Sequence, residues 1–261
     1  MVAHPSSQEL TEQLCALAVE AGAAIMDCYE SRHEAVEKED HSPVTLADKQ
    51  SDRTITTGLA AITSNIPIVS EESMPTLESN PRYFFLVDPL DGTKEFINGT
   101  QEFTVNIALI DNHEPVLGVI YAPAMNCLFF ATETQAFTQE ITPDGKTAHA
   151  PRTITVRRPP PEGLVALVSR SHRTPETDDY LQTHKVSRFK SIGSSLKFCL
   201  IARGDADIYP RHSPTMAWDT AAGHAILKSA GGSVTTLNGQ PLLYGKERSF
   251  LKNPAFIACG S

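Results

Sequence analysis

Between residues 66 and 131 the chain passes through five short apolar runs, 66–69, 83–87, 103–110, 116–121 and 127–131, each of strand length and rich in Val, Ile, Phe and Tyr. Runs this short bury their side chains by pairing edge to edge, so they dictate a sheet, and the last three read as an antiparallel meander. Ahead of them Leu10, Leu14, Leu17, Ala21, Ile25 and Tyr29 recur at three- to four-residue steps, the stripe of an amphipathic helix. A second stripe, Ala47, Ile55, Leu59 and Ile62, follows Ser42-Pro43. After the polar, turn-rich stretch Thr142-Pro143-Asp144-Gly145-Lys146-Thr147 the pattern alternates: strand 164–168, helices near 175–181 and 196–203, strand 206–209, helix 218–229. That ordering predicts the α/β class, with an α+β part over 1–147 and an α/β part over 148–261.

A chain of 261 residues, 41% hydrophobic and 20% charged, has enough apolar surface for real cores. The net charge of −9 excludes a groove for a nucleic-acid polymer, so any anionic ligand must be held by local positive charge or by metal. Five widely spaced cysteines, at 15, 28, 127, 199 and 259, form no CxxC pair and read as free thiols of a reducing cytoplasm. No signal peptide opens the sequence and no apolar run reaches the ~18 residues of a transmembrane segment, which leaves only peripheral attachment to the inner face of the plasma membrane open.

Acids gather at the ends of these elements: Asp48 near a helix start, Glu71-Glu72 after a strand, Asp88 and Asp91 after the next, and Asp219 at the start of the helix at 218–229. Each has an ordinary explanation. Asp48 stands in a Thr45-x-x-Asp48 capping box, Glu71-Glu72 are solvated acids, Asp88-Pro89 makes a turn, and Asp219 complements a helix dipole. Brought together, such carboxylates repel by roughly 4 kcal/mol per pair at ~4 Å and an effective dielectric of ~20. Divalent cations relieve that repulsion, and an all-oxygen set favours Mg²⁺, with Mn²⁺ as a substitute, over Zn²⁺. Gly92-Thr93, in a turn opening a short helix at 94–97, supplies backbone amides that suit a phosphate.

Read as one ordered set, Ser70-Glu-Glu72, Asp88-Pro-Leu-Asp-Gly-Thr93 and Trp218-Asp-Thr-Ala-Ala-Gly223 resemble the lithium-sensitive, magnesium-dependent phosphatases of the inositol monophosphatase superfamily. Within it the similarity is greatest to the 3′(2′),5′-bisphosphate nucleotidases of bacterial sulfate assimilation. The marks are Lys38-Glu-Asp40, Ser42-Pro-Val-Thr45, Thr93-Lys-Glu-Phe96, Ser169-Arg-Ser-His-Arg173, Ser191-Ile-Gly-Ser-Ser-Leu-Lys197 and Tyr209-Pro-Arg211.

The resemblance implies a layered α-β-α-β-α sandwich of the inositol monophosphatase and fructose-1,6-bisphosphatase type. It implies a first Mg²⁺ on Glu71, Asp88 and the Leu90 carbonyl, a second on Asp88, Asp91 and Asp219, and a third, weaker ion near Glu71, with Li⁺ as inhibitor. Asp48, Thr93 and Glu71 become the catalytic set, the Gly92 and Thr93 amides cradle the scissile phosphate, and Leu90, Asp91 and Asp219 also count as substrate-binding. Lys94, Ser195, Lys197, Arg211, His172 and Arg170 are the substrate contacts beyond the metals. The implied reaction removes the 3′-phosphate of adenosine 3′,5′-bisphosphate, leaving AMP, with the sulfated counterpart as a further substrate. Inositol or fructose phosphate hydrolysis is the sibling alternative. A silent nucleotide- or metal-binding module is the remote one, and retention of every acid and of Thr93 argues against it. Relatives of this kind are monomers or homodimers. Two positions depart from the pattern: Ala217, where nucleotidases often carry glutamate, and His212.

Overall fold

The computed structural model describes residues 7–31, 43–73, 81–245 and 251–260. The two apolar stripes form α1 (Ser7–Ser31) and α2 (Pro43–Ile62), which pack against each other. A seven-stranded sheet follows in chain order: β1 (Ile68–Ser70), β2 (Tyr83–Asp91), β3 (Thr104–Asp111), β4 (Glu114–Ala122), β5 (Cys127–Ala131), β6 (Ala136–Glu140) and β7 (Arg152–Ile154), with the short helix α3 (Thr93–Ile97) between β2 and β3. Pairing is antiparallel throughout except at β1 and β2, which run parallel. The meander read from the sequence is therefore present, and the turn at 142–147 lies between β6 and β7 in the same sheet.

The second sheet has the order β12-β14-β10-β8-β9, from β8 (Leu164–Ser169), β9 (Val186–Ile192), β10 (Ile208–Arg211), β12 (Ser233–Thr236) and β14 (Phe256–Cys259). Helices α4 (Pro175–Thr183), α5 (Leu196–Ala202) and α6 (Ala217–Ser229) separate its strands, and β11 (Thr215–Met216) pairs with β13 (Lys252–Asn253).

Burial sorts these elements into layers. Phe85, Val87, Ile107, Leu109 and Val119 of the first sheet pack with Leu14, Ile25, Ile55 and Leu59 of α1 and α2. The alternate residues Phe84, Leu86, Ala108, Ile110 and Ile120 face α5 and α6, which share their core with Leu167, Tyr209 and Phe256 of the second sheet. Ala166, Val168 and Ile208 meet Leu181 of α4 on the far side. The order is helix, sheet, helix, sheet, helix, as expected, and β2 and β3 are apolar on both faces because both faces are covered. Among the described residues no helix is long and apolar enough to cross a membrane.

Strand β2 differs from its expected extent. It continues through Pro89 to Asp91, and its register against β3 shifts between Asp88 and Asp91. Pro89 has no N–H to give the ladder, so the extra residues form a bulge instead of a free turn. Strands β6, β7, β9, β11, β12, β13 and β14 had no sequence expectation. All but β9 are short, and β9 is an exposed edge whose sequence, VSRFKSI, is mostly polar.

Candidate active site

The bulge in β2 aims its acids out of the sheet. Asp88 accepts a hydrogen bond from its own neighbour, Leu90 N–H, at 3.1 Å, and Ser51 of α2 donates to the Pro89 carbonyl at 2.8 Å. Both bonds fix the bulge. The chain then turns at Gly92, the N-cap of α3, at φ 96°, where a Cβ would lie 2.9 Å from the Glu102 carbonyl oxygen. Glycine is required there for both reasons.

Asp91 accepts from Ser195 N–H at 2.6 Å and Asn106 Nδ2 at 3.3 Å. Asp219, in the first turn of α6, accepts the Met216 N–H at 2.8 Å, so it caps the helix and still faces the cleft. Glu71 follows β1, its N–H bonded to the Val87 carbonyl at 3.1 Å. Ser70 and Ser73 on either side of the Glu71-Glu72 pair both donate to Asp52 of α2. A single cavity of about 290 Å³ collects Glu71, Asp88, Leu90, Asp91, Gly92, Thr93, Lys94, His172, Lys197, Arg211 and Asp219. It lies beyond the carboxyl ends of β2, β8 and β10, where open α/β sheets place their ligands.

The acids in and beside this cavity act on one another. Burial and then Asp91, Glu71, Asp219 and Asp48 hold the Asp88 carboxyl well above the usual range. Burial first, then Asp91, pushes Asp219 up to about 7. Asp48 stands beside the cavity on α2 and is likewise pushed up to about 7, by burial and then by Glu72 and Glu71. Glu71 is raised by burial, Asp91 and Glu72, and Asp91 by burial against the opposing pull of Lys197. Such a set is costly to ionise without a counter-cation, and its donors are all oxygen, which fits Mg²⁺. Among the described residues no three His, Cys, Asp or Glu side chains alone form a cage for an ion. Among the described residues the buried indole N–H of Trp218 has no partner within hydrogen-bond geometry, yet it pulls the Glu71 carboxyl down against the effect of burial.

The cavity also has a basic wall. Lys197 is buried; its Nζ donates to the carbonyls of Ile192 at 3.1 Å and Ser194 at 2.5 Å and lies 5.1 Å from the centre of the Tyr209 ring. Arg211, also buried, donates to the carbonyls of Ser213 and Pro214, each at 3.1 Å. Lys94 and His172 are exposed on the same wall. The imidazole of His172 is held below its usual range by burial and by the charges of Arg211 and Lys94.

Two expected contacts stand elsewhere. Arg170 lies outside the cavity lining and is engaged by Glu102, with Nη2 2.7 Å from each carboxylate oxygen. The hydroxyl of Ser195 is buried between Thr104 and Asn106, each at 2.8 Å, so its backbone N–H is the group turned to Asp91. Ala217 is fully buried and does not line the cavity. His212 has a local explanation: its Nδ1 meets Thr177 Oγ1 of α4 at 3.2 Å. Residues 38–40 and Ser42 and the Thr45 side chain lie outside the described residues.

Sequence reasoning missed Glu95, Ser194, Tyr209 and Thr215 in the lining and Glu102 and Asn106 behind it. Glu95, Ser194 and Tyr209 stand inside the quoted motifs and were readable there; Thr215, Glu102 and Asn106 depend on contacts between distant parts of the chain.

The family model described as the inositol monophosphatase family matches residues 6–258. The chain belongs to this family. An inositol monophosphatase relative named 3′(2′),5′-bisphosphate nucleotidase CysQ, from Escherichia coli K12, is 46% identical over 95% of this chain and 98% of its own length. The protein of the same name from Haemophilus influenzae is 31% identical over 97% of this chain and 94% of its own. Among solved structures, CysQ from Bacteroides thetaiotaomicron superposes with a TM-score of 0.81 at 39% identity, covering 95% of this chain and 97% of that one. An inositol monophosphatase from Zymomonas mobilis superposes at 0.79 with 23% identity, a likeness of fold.

Proposed function

We propose that this chain is a Mg²⁺-dependent 3′(2′),5′-bisphosphate nucleotidase, a phosphoric monoester hydrolase that removes the 3′-phosphate of adenosine 3′,5′-bisphosphate to leave AMP. The observation that carries the reading is a single cavity lined both by carboxylates suited to divalent cations and by buried cations suited to a second phosphate. The near-full-length similarity to proteins named as bisphosphate nucleotidases supports it.

Glu71, Asp88 and the Leu90 carbonyl would hold one Mg²⁺, and Asp88, Asp91 and Asp219 a second; a third has Glu71 nearest. Bound there, the cations supply Lewis acidity to the phosphate and the attacking water and offset the charge of the departing oxygen. Asp48 and Thr93 take the proton of the attacking water, the acid directly or through the threonine hydroxyl. Gly92 and Thr93 bring backbone amides to the scissile phosphate. On the basic wall Lys197 and Arg211 bind the 5′-phosphate, the lysine as a point charge and the guanidinium as a planar fork, with His172 and Lys94 at the rim. The sulfated counterpart, which shares the 3′-phosphate, fits the same arrangement.

Li⁺ inhibition, with Mn²⁺ as a partial substitute for Mg²⁺, belongs to this reading, as does a cytoplasmic location. Phosphate release from adenosine 3′,5′-bisphosphate, assayed with Mg²⁺, after chelation, and with Li⁺ added, tests it. Release that survives chelation unchanged removes the cation sites from the account.

A further inference from the structure

The basic wall rests on a connection that crosses between the two sheets. Glu102, just before β3, accepts the Gly193 N–H at 2.6 Å through Oε2 and receives Arg170 through both oxygens. Arg170 also donates to the Ser191 carbonyl at 3.2 Å. Gly193 lies between the two carbonyls, those of Ile192 and Ser194, that hold the Lys197 ammonium. The fit is close: a Cβ at Gly193 would lie 2.6 Å from Glu95 Cγ and 3.0 Å from the Glu102 carbonyl. Ser194 takes φ 48°, a left-handed conformation that a serine adopts only when its surroundings hold it.

The contact on the acidic side is secured differently. Ser195, whose N–H serves Asp91, is fastened through its hydroxyl to Thr104 and Asn106 of β3, and Asn106 itself reaches Asp91. Asp91 therefore keeps its partners without Glu102. The two carbonyls that seat Lys197 are held separately: that of Ser194 shares its peptide with the Ser195 N–H that serves Asp91, and that of Ile192 accepts the Arg170 N–H at 3.2 Å and shares its peptide with the Gly193 N–H that Glu102 accepts.

We infer that Glu102 is a positioning residue for substrate selection, holding Gly193 so that Ile192 and Ser194 keep Lys197 presented to the phosphate remote from the reaction. The inference rests on the bisphosphate reading above. It assigns Arg170 a supporting part: the guanidinium neutralises and orients Glu102 without touching substrate.

Steady-state kinetics of the full chain with saturating Mg²⁺ test it, using adenosine 3′,5′-bisphosphate and adenosine 3′-monophosphate. Glu102→Ala should raise KM for the bisphosphate by about tenfold, leaving kcat within about twofold and the monophosphate KM unchanged, the scale of losing a group that orients a binding residue. Glu102→Gln, which keeps an acceptor for the Gly193 N–H, should recover most of that loss with the wild-type Tm. In a Lys197→Met background Glu102→Ala should add less than about twofold, because both act through one ammonium. Arg170→Gln, which leaves the Gly193 bond intact, should move KM by about threefold at most.

Equal kcat losses on both substrates, or multiplying effects of Glu102→Ala and Lys197→Met, would overturn the inference. So would an Arg170→Gln enzyme as impaired as Glu102→Ala. A wild type with no preference for the bisphosphate overturns the functional reading and takes this inference with it. A wild type with that preference and multiplying variants overturns the inference alone.

Discussion

The two walls of the cavity are both charged and both partly buried, yet they are completed in opposite ways. On the acidic wall backbone donors fix single oxygens of Asp88, Asp91 and Asp219, and the carboxylates otherwise raise one another's pKa, with Lys197 pulling on Asp91 and Arg211 on Asp219. On the basic wall Lys197 and Arg211 are fixed by neutral carbonyls, which immobilise a cation without cancelling its charge. Arg170 shows the alternative: held by a carboxylate, its charge is consumed inside the protein. The difference teaches which wall waits for which partner. The acidic wall needs cations before it can meet a phosphate, whereas the basic wall is ready for an anion as folded.

The largest effect should come from breaking the acidic wall. Asp88→Asn removes the charge shared by both proposed cation sites, and kcat should fall by roughly a thousandfold while the circular dichroism spectrum stays native. An enzyme within tenfold of wild type would mean that Asp88 does not join two cations. Breaking the basic wall should divide the kinetic parameters differently. Lys197→Met should raise KM for the bisphosphate by about thirtyfold with a much smaller change in kcat, because it removes a contact to a phosphate that does not react. A loss confined to kcat would place Lys197 with the chemistry instead.

Much of this contrast was legible in the chain. The acids occupy ends of elements that periodicity alone marks, and Asp88, Asp91 and Asp219 were placed from their distance to apolar runs. What could not be read was the finish of each wall. The Arg170–Glu102 pair joins residues 68 apart, and Ser195 serves Asp91 across 104 positions. No local pattern carries such contacts. Arg170 and Lys197 were both candidate phosphate contacts in the sequence, Lys197 the stronger; only the fold reveals that one meets a carboxylate and the other carbonyls. The course of β2 was hidden for a related reason, since Asp-Pro in isolation reads as a turn and only pairing with β3 keeps it a strand.

A third, smaller effect sharpens the contrast without altering the chain. If the acidic wall is incomplete without cations, adding Mg²⁺ to chelator-treated protein should raise Tm. At a hundred times Kd the linkage is worth about 2.7 kcal/mol, roughly 5–10 °C for a chain of this size. Inorganic phosphate without Mg²⁺ should raise it less. A Tm insensitive to Mg²⁺ would contradict the reading of the acid cluster.

The smallest effect concerns α6, on which Asp219 is mounted. His224 is buried in that helix with Nδ1 3.2 Å from the Tyr244 hydroxyl, and burial lowers its pKa to about 3. Its neutral form is the folded one, so this contribution is complete above about pH 6.5 and is lost as pH falls from there toward 3. The slope is about 1.4 kcal/mol per pH unit. Chemical denaturation at pH 7 and pH 5 should show that loss in wild type and a reduced one in His224→Asn; identical slopes would remove His224 as its source.

The central claim is that one wall performs the hydrolysis and the other chooses the substrate. The most direct measurement is kcat/KM with Mg²⁺ for adenosine 3′,5′-bisphosphate, adenosine 3′-monophosphate and inositol 1-phosphate under identical conditions. The account predicts that the bisphosphate is favoured over both others by about a hundredfold or more, the scale of a buried, charge-assisted phosphate contact. Equal values for the two nucleotides, or a preference for inositol 1-phosphate, would contradict it.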